Sequence, residues 1–305
     1  VPRLEYRQTY GYQMIDAPDF NVHLRLNKGH FNDPAPELDE AHGGVYPVYA
    51  SPPGDAHTSY ALLPGGAGRG LQGPPPELWA SHRDWFWPQA DNASDIYGQL
   101  CWSNRSLQMF LVSRVKGFLK AQPKASLISV SQNDNGQMCQ TAAELAIVRE
   151  EGGARMGPML RAVNFIADAI KDEYPDVAIA TLAYGETSSP PITAARPNVM
   201  IQLAPISADY GRPLSSPSNK PIRDQIAAWG RKSSRLFVWN YVGGFECFLL
   251  PFPNYYSLAR DIQFLAQNGV TGIFNEASYV GPGGDFAEHN DFVVSKMMWE
   301  PALNG

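Results

Sequence analysis

Charge is scarce in this chain. Charged side chains make up 18% of its 305 residues and the net charge is −6, which leaves no basic surface for nucleic acid or an anionic membrane. Long apolar runs are missing too. None approaches the roughly 20 residues needed to span a bilayer, so membrane insertion is not expected. Cysteine is nearly absent: Cys101, Cys139 and Cys247 are too few and too far apart for a disulfide framework or a paired Cys-x-x-Cys metal site. They read first as small buried hydrophobes, with one disulfide plus one free thiol as the alternative. His23, His30, His42, His57, His82 and His289 show no His-x-x-x-His spacing, so no metal is expected. No Gly-x-Gly-x-x-Gly follows the first expected strand and no phosphate-binding loop occurs, so no nucleotide or other cofactor is expected. A serine nucleophile lacks its Gly-x-Ser-x-Gly turn. No leader is visible, yet the chain opens on Val1. It therefore reads as a segment of a longer or processed polypeptide, and the missing leader decides nothing.

What the chain does have is a repeated grammar. At 127–136 a short apolar run, Leu-Ile-Ser-Val-Ser, stops abruptly in Gln132, Asn133, Asp134, Asn135 and Gly136. A parallel strand buried on both faces reads as such a run, and functional groups sit just past its C-terminal end. The pattern recurs at 177–184 into Glu186, at 198–206 into Asp209, at 235–241 into Trp239-Asn240-Tyr241, and at 271–274 into Asn275-Glu276. Helical periodicity lies between these runs, at 104–121, 141–150, 156–174, 222–232, 255–268 and 285–299. Less regular strands are expected at 4–10, 45–49, 59–63 and 98–103, and a short helix at 19–27. Residues 43–76 dissolve into Gly and Pro and read as an insertion. Seven or eight βα units fit a single (β/α)8 barrel of the TIM type over 1–305 better than an open sheet.

In such a barrel the strand ends converge on one rim. Asp134, Glu186 and Glu276 are the candidate catalytic carboxyls. Asn133, Asn135, Tyr184, Trp239, Asn240, Tyr241 and Tyr279 are the candidate substrate contacts, with Asp209 on the same rim. Paired carboxyls among aromatic faces are the vocabulary of glycoside chemistry: one protonates the leaving oxygen, the other acts as base or nucleophile, and rings stack on sugars. For any single Asp or Glu there, capping a helix is the better reading, but five polar strand ends on one rim are harder to explain that way. The aromatic run Trp79, His82, Trp85, Phe86, Trp87 reads as either a core plug or a sugar platform, and Trp85 is the candidate contact from it. Asn92-Ala-Ser and Asn104-Arg-Ser are glycosylation sequons.

Several strings together resemble one family: Val130-Ser-Gln-Asn-Asp-Asn-Gly136, His82-Arg-Asp-Trp-Phe86, Leu100-Cys101, Val238-Trp-Asn-Tyr241 with Pro251-Phe-Pro-Asn254, and Phe286-Ala-Glu with Lys296-Met-Met-Trp-Glu-Pro301. They look like the domain-of-unknown-function 4838 family over about 77–301. Gly43-Gly44 and His57-Thr58 resemble a family element split by the insertion, which adds His57 to the candidate contacts. The resemblance implies a glycoside-hydrolase-like barrel distantly akin to hexosaminidases and α-glucuronidases. Asn240 stands where the family pattern has Asp, and of the family's cysteines after the Asn-Asp-Asn-Gly string only Cys139 remains.

Two functions follow as expectations. One is an O-glycoside hydrolase acting on or binding an extracellular glycan, with Asp134 and Glu276 as the working pair and Glu186 in reserve. The other is a catalytically silent barrel in an extracellular or cell-surface glycoprotein assembly. The partner is in both cases a carbohydrate or glycoprotein glycan, with neighbouring domains or subunits in the second. A cytosolic metabolic barrel is disfavoured, because Gly281-Pro-Gly-Gly284 reads as a turn and not as a phosphate loop.

Overall fold

The computed structural model describes residues 3–16, 18–26, 48–66, 75–87, 98–282, 284 and 286–302. They fall into two units: 1–47 with 203–231 and 235–305, and 48–202 with 232–234.

The first unit carries β1 (Tyr6–Tyr10), α1 (Tyr12–Asp16) and α2 (Pro18–His23). The expected helix at 19–27 is the shorter α2, which begins one residue earlier, and α1 is an additional helix before it. The last two residues of β4 (Val199–Ala204) also belong here. They are followed by α7 (Lys220–Gly230), β5 (Leu236–Tyr241), α8 (Leu258–Gln267), β6 (Val270–Glu276) and α9 (Ala287–Trp299). Strand order is β1-β6-β5, and β6 runs parallel to both neighbours. Both faces of β5 are covered, which explains its unbroken apolar run. Gly269, at φ +83°, makes the left-handed turn between α8 and β6 that a side chain would strain.

The second unit holds α3 (Pro76–Ser81), a 3-10 turn at Arg83–Trp85, α4 (Arg105–Ala121), β2 (Leu127–Ser129), α5 (Ala142–Glu150), α6 (Met156–Ile170), β3 (Ala178–Tyr184) and most of β4. Here the order is β4-β3-β2, with β2 and β3 parallel. Helix starts follow sequence: Asn104 caps α4 by accepting from the Leu107 N–H, and Thr141 caps α5 by accepting from Glu144. Cys101 and Cys139 are bonded to each other and Cys247 is free and exposed, so the disulfide alternative replaces the reading of three buried thiols.

The fold is α/β with parallel strands, as expected, but six strands and not eight occur among the described residues. Residues 45–47 of the expected strand at 45–49 lie outside the described residues, and Tyr49 forms a parallel bridge to Leu127; the expected strand at 98–103 is an antiparallel bridge between Leu100 and Phe86. Residues 59–63 form turns. Only Tyr60 among them is a strong β-former, and Thr58 and Ser59 bond Ser129 and Asn133 through their side chains and not through a ladder.

Three buried carboxyls tie this fold to pH. Burial pushes Glu144, Asp261 and Asp291 up to about 7. Glu144 and Asp261 accept backbone N–H bonds from Ser103 and Leu214, both at 2.6 Å. Asp291, on α9, has no hydrogen-bond partner for either oxygen among the described residues. It packs so tightly on the turn after β1 that a Cβ on Gly11 would lie 2.6 Å from its Oδ2. The folded state thus holds a proton that the unfolded chain, with the ordinary Asp value of 3.8, releases earlier. That contribution is complete below about pH 3.8 and is lost as pH rises through about 7. At ~1.4 kcal/mol per tenfold change, a shift from 3.8 to about 7 means that the charge on Asp291 costs on the order of 4 kcal/mol by pH 8. Asp291→Asn is therefore expected to raise the melting temperature distinctly more at pH 8 than at pH 5. Melting curves with equal displacement at both pH values would contradict this.

Candidate functional site

In the first unit, the polar residue that ends β6 is tied to β5. Glu276 is half-buried, and its Oε2 accepts from Trp239 Nε1 at 2.7 Å. The register explains the pairing: Trp239 lies opposite Phe274 and Tyr241 opposite Glu276, so alternate residues of two parallel strands face the same way. Trp239 packs edge-on to Phe274 at 4.4 Å. Tyr10, from the end of β1, contacts Tyr279 at 4.8 Å, and Tyr279 contacts Phe248 at 5.3 Å. Tyr241 meets Phe245 at 5.5 Å and Tyr210 at 6.0 Å. A carboxylate held by an indole N–H among several rings can stack a sugar and hydrogen-bond its hydroxyls.

Asn240 faces the other way. Its Nδ2 donates to Asn275 Oδ1 at 2.9 Å, and Asn275 reaches Thr9 on β1 and Met298 on α9. Asn240 is buried and its Oδ1 has no partner among the described residues. An aspartate there would bury an uncompensated charge between amides, so an asparagine is the residue this packing tolerates. Asp209 is paired with Arg212 at 2.8 Å on an exposed loop, and the Arg212 hydrogen bond holds its carboxyl below the usual range.

In the second unit, β2 leads into a loop locked by amides and hydroxyls. Asn133 is fully buried: its N–H donates to Gln99 Oε1, its Nδ2 to the Gly98 carbonyl, and its Oδ1 accepts from Ser59. Gln99 Nε2 also donates to the carbonyl of Asn135 and to its Oδ1. Gln132 donates to the Tyr184 carbonyl and accepts from Thr187. His57, at φ +52°, bonds the Gln132 carbonyl through Nδ1 and meets the Tyr184 ring edge-on. Asn133, Gln99 and Gln132 therefore build the loop, while Asp134 stands exposed at its tip with no side-chain hydrogen bond or ion pair among the described residues. Glu186, just past β3, is exposed and paired with Arg155 at 3.2 Å.

The five expected rim residues divide two and three between the units. Asp134 and Glu186 fall in the second; Asp209, Asn240 and Glu276 fall in the first. Trp85 is buried against His82 and Phe110 and donates to Ser106, the arrangement of a core plug. Asn104 is half-buried, and its Nδ2 donates to Asp84 at 2.6 Å. Asn92 lies outside the described residues. No group of three or more His, Cys, Asp or Glu arranged to hold a metal occurs among the described residues. Tyr10, Tyr210, Phe245 and Phe248 were not singled out from sequence. For Phe245 and Phe248 the only signal is the density of rings in 245–256 after a strand end; Tyr10 ends the first expected strand and Tyr210 follows Asp209.

A family profile described as a domain of unknown function (DUF4838) matches residues 1–305. The chain belongs to that family. The match includes the residues before 77, where the sequence motifs are sparse. No curated protein matches the DUF4838 chain. Among solved structures, it is similar to endo-glycoceramidase II from Rhodococcus sp. with a cellobiose-like isofagomine bound. That match has a TM-score of 0.51 and 13% identity, over 94% of this chain and 78% of that one. The lactosyl-enzyme intermediate of the same enzyme matches at TM-score 0.50 and 11% identity over the same shares. A family 36 α-galactosidase from Geobacillus stearothermophilus matches at TM-score 0.44 and 11% identity, over 97% of this chain and 41% of that one, too loosely to add weight. At these identities the likeness concerns the fold alone: this DUF4838 chain has the α/β architecture of glycosidase barrels.

Proposed function

We propose that this DUF4838 chain is a glycoside-hydrolase-like (β/α)8 barrel that acts on or binds an extracellular glycan. The observation that carries the reading is Glu276 at the end of β6, hydrogen-bonded by Trp239 and set among Tyr10, Tyr241 and Tyr279. Strand ends are where barrels of this type keep their chemistry. The structural neighbours, named as acting on glycosides, support the same class. Asp134, presented on an amide-locked loop, and Glu186 are the second unit's candidate carboxyls. The Cys101–Cys139 disulfide supports an oxidising, extracellular or cell-surface setting.

A catalytically silent barrel within a glycoprotein assembly is the second reading. It draws on the exposure of Asp134 and Glu186, because neither has the enclosed surroundings that an acid catalyst needs. A panel of oligosaccharides and aryl glycosides, scored for binding by calorimetry and for turnover, separates the two. Binding with turnover is expected for at least one member. Binding alone supports the silent barrel, and neither activity across the panel overturns the glycan reading.

A further inference from the structure

Beside Glu276, the first unit has a cavity of about 390 Å³ that shares Tyr210, Tyr241 and Phe245 with the rings above and extends past them to residues that the site above does not use. Its walls come from the segment after β4 and from the loop after β5, chiefly Ile206, Tyr210, Tyr241, Phe245, Leu250 and Phe252. The volume lies in the range of small-ligand pockets. Tyr241 joins the cavity to the candidate carboxylate, because it lines the first and is the register partner of Glu276.

Beyond those shared rings the lining is poor for a sugar. A sugar subsite needs several hydrogen-bonding groups to replace water on the hydroxyls. Here the Tyr210 hydroxyl is buried and donates to the Pro205 carbonyl at 2.9 Å, and Glu246 is the charged residue of the lining. Ile206 and Leu250, branched aliphatics that offer no ring face, are 51% and 63% exposed. Leaving such side chains open to water is unfavourable by ~25 cal/mol per Å² of apolar surface, a cost that an apolar ligand would remove.

We propose that this cavity is the subsite for a linear apolar aglycone, an alkyl or acyl chain, so that the substrate class is an amphiphilic glycoside with its sugar at Glu276. The proposal rests on the glycan reading for the headgroup but not for the chain. The strand-end carboxylate takes the polar half and the adjoining Tyr241–Phe245–Phe252 wall takes the apolar half.

The test uses the whole chain and two homologous series: n-hexyl, n-heptyl and n-octyl β-D-glucopyranoside below their micelle-forming concentrations, and the matching n-alkanols. Affinity measured by calorimetry should tighten about fourfold per methylene in both series, the equivalent of ~0.8 kcal/mol for each buried CH₂. Ile206→Asp and Leu250→Asp, both at exposed positions and so compatible with folding, should flatten that dependence. A slope in both series with no gain from the glucosyl group upholds the chain subsite and counts against a glucose headgroup only. A flat response in both series, or a slope that survives both substitutions, overturns the proposal, whatever the oligosaccharide panel shows.

Discussion

Replacing both bonded cysteines, Cys101→Ser with Cys139→Ser, is expected to cost about 4 kcal/mol of stability. The bond closes a loop with a sequence separation of 38. In the chain-entropy account, opening a loop of that size returns roughly 13 cal/mol/K to the unfolded chain, or about 4 kcal/mol at 25 °C. Both cysteines are buried, so the serines add the penalty of hydroxyls without assured partners. Structure amplifies the loss locally. Gln99, two residues before Cys101, donates to the Asn133 and Asn135 carbonyls just upstream of Cys139. The disulfide therefore clamps the same two segments that the amide network joins, and its removal should loosen the loop that presents Asp134. Denaturant unfolding of the double variant against the parent measures the stability, and hydrogen exchange at 132–137 measures the loosening. A loss below about 1 kcal/mol would mean that the crosslink adds nothing to a loop already fixed by its amides. Cys247→Ser should leave both readouts unchanged, because that thiol is free and exposed.

Much of this framework was legible in the residues because local and global signals agreed. Asn104 and Thr141 mark helix starts, Gly269 marks a helix end, and the apolar runs at 178–184, 199–204 and 236–241 are strands. The side on which a residue projects was not legible. In Leu236–Tyr241 the burial pattern is nearly continuous, so the alternation that tells the two faces of a strand apart is absent. Trp239, Asn240 and Tyr241 read as one cluster, whereas Trp239 and Tyr241 share the face of Glu276 and Asn240 pairs with Asn275 beneath α9. The apolar cavity was hidden for a different reason. Its walls come from two loop segments, and Phe245, Leu250 and Phe252 follow no strand or helix period there. Trp85 was ambiguous because composition cannot tell a ring that stacks on a sugar from one that plugs a core. The answer lies in its partners, His82, Phe110 and Ser106.

Glu276→Gln is expected to lower kcat by about 10²–10⁴-fold, the usual contribution of a positioned proton-transfer group, while changing glycan affinity by less than about threefold. Glutamine keeps the length and shape of the side chain, and its Oε1 can still accept from Trp239 Nε1, so the packing at the end of β6 should survive. What it loses is the carboxyl's ability to give or take a proton, or to attack the anomeric carbon, the steps on which two-carboxylate glycoside hydrolysis depends. Trp239→Phe separates positioning from chemistry. The ring against Phe274 is largely kept, but the donor that fixes the Glu276 rotamer at 2.7 Å is gone. A hydrogen bond to a charged group contributes ~1.5–3 kcal/mol, so this variant should lose about 10- to 100-fold in kcat/KM and keep a measurable rate. Steady-state rates on an aryl glycoside turned over by the parent, with calorimetric affinities for the same series, provide both readouts. Parental kcat in Glu276→Gln would remove Glu276 from the chemistry. Equal losses in the two variants would instead mean that the Trp239–Glu276 contact holds the end of β6 in place and takes no part in proton transfer.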